Sequence, residues 1–429
     1  MTVKITSLGI GDLHLSNSPA RIHSKHQERK AELLMSAQGI LTPIVVDERY
    51  RVIDGNLRVT IARKLGIETL NAIVISGLTE AKRIELELAL NRLPEDTTWD
   101  AEQLKLRVEA LISFETDLNL TGFDTPELDQ ILTFEVVSDD SEIGEHVTPV
   151  TKRGDVWRVG THIIACCSAL DPPIGLLTAP GFDAAKACIT DPPYNVPTAG
   201  HIRTTSHHKE FAMAAGEMSQ EEFTQFLTTS LHAALPFLDP NALIYAFMDW
   251  RGIAQLSKAA QSLSLIQQNL CVWSKTNAGM GSFYRSQHEL VGVFSRTEHY
   301  QNNIQLGRMG RYRTNVWNYD GVTSFGTTRN EDLQDHPTVK PTQMIADIIL
   351  DCTSLGDWVY DPFLGSGTTC QAAEQTRRRC LGIEYEPRYV DVTLKRLKDR
   401  CGLEAYHLNS DLSYTQIAQE RCILIGADA

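Results

Sequence analysis

A chain of 429 residues is longer than one small domain needs, so two or three compact units are expected, each burying its own core. Its 42% hydrophobic and 22% charged residues are those of an ordinary globular protein, and no run of about 18 apolar residues offers a membrane span. The net charge of −14 does not exclude a polyanionic partner, because residues 80–145 hold 18 acidic against 5 basic residues and leave the remainder near neutral.

Met1 to Ile10 lacks the basic start and apolar stretch of a secretory signal. The nine cysteines are scattered, with no C-x-x-C spacing, so they read as thiols of a reducing compartment and not as a disulfide frame or a zinc site. A cytoplasmic location is expected, with no metal.

In chain order, Pro43-Ile44-Val45-Val46 and Tyr50-Arg51-Val52-Ile53 are predicted as short strands around the turn Asp47-Glu48-Arg49. Asp54-Gly55-Asn56 punctuates the chain, and Leu57, Ile61, Ala62 and Leu65 follow at helical spacing up to Gly66. A helix opening near Arg58 after a glycine turn can cradle an anion, although a plain strand-turn-helix connection gives the same pattern. Gly39 to Val46, Ile53 to Arg58 and Lys64-Leu65-Gly66 resemble the ParB-like amino-terminal domain, over about the first 90 residues. The resemblance implies a small α+β domain over residues 1–93 that binds DNA or a nucleotide, with Arg58 at phosphate. Asn56 and Leu57 stand where partition proteins of that family place a glutamate and paired arginines, which speaks for binding or regulation and against nucleotide hydrolysis.

Residues 94–150 are expected as an acidic helical linker. Leu104, Val108, Leu111 and Ile112 recur at helical spacing, residues 127–134 form a second short helical stretch, and Ser138 to Glu142 is polar enough for a flexible connection.

From residue 151 apolar runs alternate with helical patterns. Strands are predicted at 187–190, 242–248, 270–273, 290–294, 358–360 and 381–383. Phe223, Phe226, Leu227, Leu231, Ala234 and Leu235 share one helical face, as do Met344, Ile345, Ile348, Ile349 and Cys352. This alternation predicts a doubly wound, Rossmann-like α/β sheet over residues 151–405, with 406–429 as a tail.

Asp191-Pro192-Pro193-Tyr194 follows the predicted strand at 187–190, at the edge where such sheets bind ligands. The tetrapeptide offers a carboxylate, a stiff turn whose prolines present no competing N–H, and an aromatic face. Further on, Asp361-Pro362-Phe363-Leu364-Gly365-Ser366-Gly367-Thr368-Thr369 is a strand end, a glycine turn and a helix start, suited to a carboxylate or a phosphate. It lacks both the G-x-G-x-x-G pattern and a lysine after the second glycine. Glu384 closes the next predicted strand, placed to accept ribose hydroxyls.

These two turns, with His336-Pro337-Thr338-Val339-Lys340-Pro341, resemble the β-group amino DNA methyltransferases over residues 151–402. The resemblance implies methyl transfer from S-adenosylmethionine to an exocyclic amine of a flipped base in double-stranded DNA. Asp191, Pro192, Pro193 and Tyr194 would be catalytic. Asp361, Phe363, Gly365, Ser366, Gly367, Thr368 and Glu384 would hold the cofactor, with Lys340 and Thr342 beside its methionine end. An aspartate opening the turn points to the N6 amine of adenine. The alternatives are N4-cytosine methylation and a ParB-like DNA-binding protein with a vestigial methylase half. A restriction-modification role fits this class, and a homodimer is left open.

Lys275, Arg285, Arg308, Arg311 and Arg313, with Arg296, form a basic stripe expected to meet DNA phosphates. Residues 197–218, with His201, His207 and His208, are expected to close over the substrate.

Overall fold

The computed structural model describes residues 1–15, 21–114, 116–132, 134, 148–195, 216–276, 284–307, 311–320 and 340–421. The chain divides into two units, Met1–Thr133 and Phe134–Ala429. Among the described residues no helix is long and apolar enough to cross a membrane.

The first unit contains β1 (Thr2–Gly9), α1 (Lys25–Gln38), β2 (Ile44–Asp47), β3 (Val52–Asp54), α2 (Asn56–Lys64), β4 (Thr69–Ser76), α3 (Glu80–Arg92), α4 (Ala101–Ser113) and α5 (Thr125–Leu132). Its sheet runs β1-β4-β2-β3, with β2 parallel to β4 and the other pairs antiparallel. The predicted hairpin is β2 and β3, and the predicted helix is α2, which opens at Asn56. Ile44, Val46, Val59, Ile61, Ala62, Leu70 and Ala72 form the core. The acidic segment expected as a linker contributes α4 and α5 to this unit. Asp100 caps α4 by accepting from the Gln103 N–H. Residues 138–142 lie outside the described residues.

The second unit is built on β5 (Val156–Val159), β6 (His162–Cys166), β7 (Ala185–Thr190), α6 (Gln220–Ala234), β8 (Leu238–Met248), α7 (Ile253–Ser262), β9 (Ile266–Ser274), β10 (His288–Ser295) and β11 (Val316–Asn318). It continues with α8 (Thr342–Cys352), β12 (Trp358–Asp361), α9 (Thr368–Gln375), β13 (Arg379–Glu384), α10 (Pro387–Cys401), β14 (Ala405–His407) and α11 (Tyr414–Glu420). Among the described residues ten strands form one sheet in the order β11-β9-β10-β8-β7-β12-β13-β6-β5-β14.

Because strand side chains alternate, neighbouring residues serve opposite faces. Ala187 and Ile189 join the core under α8, α9 and α10, whereas Ala185 and Cys188 join the core under α6 and α7. Helices on both faces of a largely parallel centre make the fold doubly wound α/β. All six predicted strands are present. The residues expected as a tail from 406 instead supply the end of β14, paired with β5, and α11.

Candidate active site

The sheet topology brings the two distant turns together. β7 and β12 are adjacent and parallel, with Ala187 opposite Val359 and Cys188 opposite Tyr360. Asp191 therefore leaves β7 beside Asp361 at the carboxyl edge of the sheet. β13 flanks β12 in parallel on its other side and places Glu384 at the same edge. β9 runs parallel to β11 and antiparallel to β10, and β10 runs antiparallel to β8. Consequently the end of β9 and the start of β10 reach this edge too.

Around Asp191 stands a compact charged group. Lys340 Nζ lies 2.6 Å from Asp191 Oδ2 and 3.2 Å from Glu289 Oε2. The Tyr194 hydroxyl lies 2.6 Å from Asp191 Oδ1 and 3.0 Å from Glu289 Oε2, and it accepts from Lys340 at 3.3 Å. Lys275 Nζ lies 2.5 Å from Glu289 Oε1. Lys340 is 7% exposed and Glu289 8%, whereas the Asp191 side chain keeps 23% of its surface open. The carboxylate is thus deep yet reachable.

Two carboxylates here balance two ammonium groups, the condition on which charges are tolerated away from water. Burial pushes the Asp191 carboxyl above its ordinary range, against the opposing pull of Lys340. Burial acts on Glu289 in the same direction, but Lys340 and Lys275 outweigh it and hold that carboxyl below its usual value. Burial tends to discharge Lys340, and the charges of Asp191 and Glu289 overcome this and raise it. Tyr194 is pushed well above 10 by burial and by both carboxylates, so it remains a neutral phenol.

The glycine turn is built for close approach. Gly367 caps α9 with φ +88°, and a Cβ there would lie 2.5 Å from Thr393 Cγ2. Gly367 has no side chain with which to cap α9, so the first-turn N–H groups have no partner within the helix. Gly365, also left-handed at φ +55°, donates its N–H to Glu384 Oε2 at 2.8 Å, and the Glu386 N–H donates to Oε1 at 2.8 Å. Burial outweighs these bonds and pushes Glu384 up to about 7. Asp361 is raised to about 7 as well, first by burial and further by the nearby charges of Asp191 and Glu384.

The individual side chains in this turn have distinct partners. Asp361 accepts from the Phe363 N–H at 3.0 Å and the Thr369 hydroxyl at 2.6 Å, so it holds the turn in shape. Phe363 packs its ring 6.2 Å from that of Phe226. The Ser366 carbonyl and hydroxyl accept from Arg396 at 2.8 and 2.9 Å. Thr368 is buried as the first residue of α9, and Thr342 as the first of α8. Together these groups can hold a ligand with vicinal hydroxyls and a carboxylate.

Several sequence expectations change. Lys340, placed by resemblance at the cofactor's end, directs its ammonium at Asp191 and Glu289. Lys275, expected at a phosphate, pairs with Glu289. Arg311 and Arg313 bind Asp351 at 2.7 and 3.0 Å and are turned inward, because a carboxylate only 4% exposed needs cations beside it. In the first unit Arg58, expected at a phosphate, donates to Asp54 at 2.5 Å and to the Pro43 carbonyl at 2.8 Å. Arg285 is exposed, consistent with contact to a polyanion. Arg308, residues 196–215 with the three histidines, and residues 336–339 lie outside the described residues.

Sequence reasoning missed Glu289 as a site residue. Its signal was an acid opening an otherwise apolar strand, but which edge that strand meets depends on its antiparallel pairing.

Residues 185–395 match the family profile described as a DNA methylase, and residues 102–153 match one described as a ParB-methyltransferase HTH domain. The second match falls on the acidic segment that holds α4 and α5. The type II methyltransferase M.HinfI of Haemophilus influenzae is 28% identical over 223 residues, covering 49% of this chain and 62% of that protein. M.HpaI of Haemophilus parainfluenzae, also a type II methyltransferase, is 25% identical over 225 residues, covering 49% of this chain and 67% of its own. The match thus spans less than two thirds of the first relative's length. The solved structure of the PvuII DNA methyltransferase, described as cytosine-N4-specific, is 17% identical with a TM-score of 0.44, covering 64% of this chain and 94% of that one.

Proposed function

We propose that this chain, which carries a DNA methylase domain and a ParB-methyltransferase HTH domain, methylates the N6 amine of adenine in double-stranded DNA. The observation that supports the reading is the side-by-side exit of the Asp191 and Gly365 turns from two adjacent parallel strands. S-adenosylmethionine, when bound, supplies a methyl group made electrophilic by a positively charged sulfur. Glu384 would accept its ribose hydroxyls, and the open N–H groups at the start of α9 would face its carboxylate.

An exocyclic amine is a poor nucleophile, because its lone pair is delocalised into the ring. Asp191 would accept one of its N–H groups and the Pro192 carbonyl the other, freeing the lone pair. Both acceptors then stabilise the positive charge that grows on nitrogen as the methyl arrives. The amine gains its N–CH3 bond as the S–CH3 bond breaks and its electron pair stays on sulfur as a neutral thioether, and the displaced N–H proton is released to solvent. The base must first leave the duplex, and stacking on the Tyr194 ring, worth about 1–3 kcal/mol, offsets part of that cost.

The aspartate at the head of the catalytic turn supports adenine over cytosine. The decisive experiment expresses the full chain in a methylation-free host and analyses the nucleosides of its DNA by mass spectrometry. N6-methyladenine is expected, and Asp191→Ala should abolish it while leaving S-adenosylmethionine binding intact. N4-methylcytosine alone would move the acceptor to cytosine, and normal turnover by Asp191→Ala would refute the role of the carboxylate.

A further inference from the structure

Every group around Asp191 has a plain role in amine methylation except Glu289 and the two lysines it touches. Both oxygens of Asp191 are already engaged, Oδ2 by Lys340 and Oδ1 by Tyr194. A base amine entering the crevice needs one of them. The Lys340 ammonium sits where an N–H donor from the base would sit, 2.6 Å from Oδ2. Left there it competes with the base, and it also repels the positive charge that develops on the amine nitrogen.

Among the described residues, the structure offers that ammonium one other anion. Glu289 Oε2 is 3.2 Å from Lys340 Nζ, and Glu289 is held in place through its other oxygen by Lys275, 2.5 Å away. The register of β10 fixes the backbone, with Glu289 opposite Trp273 and Leu290 opposite both Val272 and Met248. Lys275 lies 4.6 Å from the centre of the Trp273 ring, which braces it on its own strand. Among the described residues, the titratable groups facing this spot are Asp191 and Tyr194 after β7, Lys275 after β9, Glu289 on β10, Lys340 before α8 and, through its charge on Asp191, Asp361 at the end of β12.

We propose that Glu289 is a positioning residue that draws Lys340 off Asp191 as the target base enters, leaving the Asp191 carboxylate uncompensated for the amine. This rests on the amine-methylation reading above, whichever base is the acceptor. In this arrangement Lys340 guards the empty site by keeping the buried carboxylate paired. Glu289 then accepts the ammonium without letting it return to water.

The test measures methyl transfer by the full chain from labelled S-adenosylmethionine to double-stranded DNA, across pH, for the wild type, Glu289→Gln, Lys340→Met and the double variant. With Glu289 neutral, Asp191 is the one carboxylate among the described residues left to pair with Lys340. kcat should fall about 100-fold, while KM for DNA and cofactor changes by less than about threefold. Removing the competing ammonium as well should restore about tenfold of the lost rate. The acid limb of the Glu289→Gln profile should also move to lower pH, because the like charge that raises Asp191 has gone.

A merely structural ion pair predicts that the double variant is no faster than Glu289→Gln. That result overturns the proposal. If Glu289→Gln fails to fold, Glu289→Asp, which keeps the charge with a shorter reach, takes its place. A rate loss relieved by Lys340→Met then supports the proposal, and no relief overturns it. A wild type that methylates no DNA at all would remove the functional reading along with this one. An active wild type without rescue removes this one alone.

Discussion

Glu384 shows how burial can tune a binding residue through a single proton. Its carboxyl sits near 7, well above an ordinary glutamate, because burial outweighs the N–H groups of Glu386 and Gly365. Below that value it is protonated and loses its strength as an acceptor of hydroxyl bonds; above it, it is charged and draws a cationic sulfonium ligand. Affinity for S-adenosylmethionine is accordingly expected to rise about tenfold between pH 6 and pH 8. Titration calorimetry at several pH values checks this, and Glu384→Gln should flatten the profile. A pH-independent wild-type affinity would show that Glu384 does not meet the ligand. This residue was legible in the sequence because it follows the glycine turn at the spacing of one strand-helix-strand unit. Glu289 was not, since its partners lie on three separate elements.

The segment around β11 shows the same contrast between local and distant causes. Arg311 and Arg313 look like a basic stripe in the sequence, but both turn onto α8, where Asp347 and Asp351 wait. Arg313 also lies 5.1 Å from the centre of the Trp317 ring, so it is packed as well as paired. Arg313→Ala should leave Asp351 undercompensated in the interior and cost about 3 kcal/mol, lowering Tm by about 6–12 °C. DNA affinity measured well below the transition should be unchanged. An unaltered melting curve combined with weaker, less salt-dependent DNA binding would instead restore the phosphate role. The helical face of α8 was readable from its spacing, whereas the acids that α8 presents to a neighbouring segment were not.

Each of the two units has a core of its own: one cluster under the four-stranded sheet, and one on either face of the ten-stranded sheet. All the residues proposed to hold the base and the cofactor belong to the second. A chain shortened to residues 134–429 is therefore expected to fold and to retain methyl transfer within about tenfold at saturating DNA, with changed DNA affinity or site choice. Cooperative unfolding followed by calorimetry, together with the transfer assay, checks this. Loss of folding would mean that the two units depend on each other.

The sequence by itself determined the six central strands, the doubly wound class and both turns. Each of these rests on local periodicity, on proline and glycine geometry, or on spacing within one strand-helix-strand unit. Only the tertiary structure decided which edge each outer strand meets and where each charge finds its partner. Ion pairing away from water is settled by distance in space, and the pairs that matter here join residues as far apart in the chain as Asp191 and Lys340. No local pattern encodes that meeting; the order of strands in the sheet does.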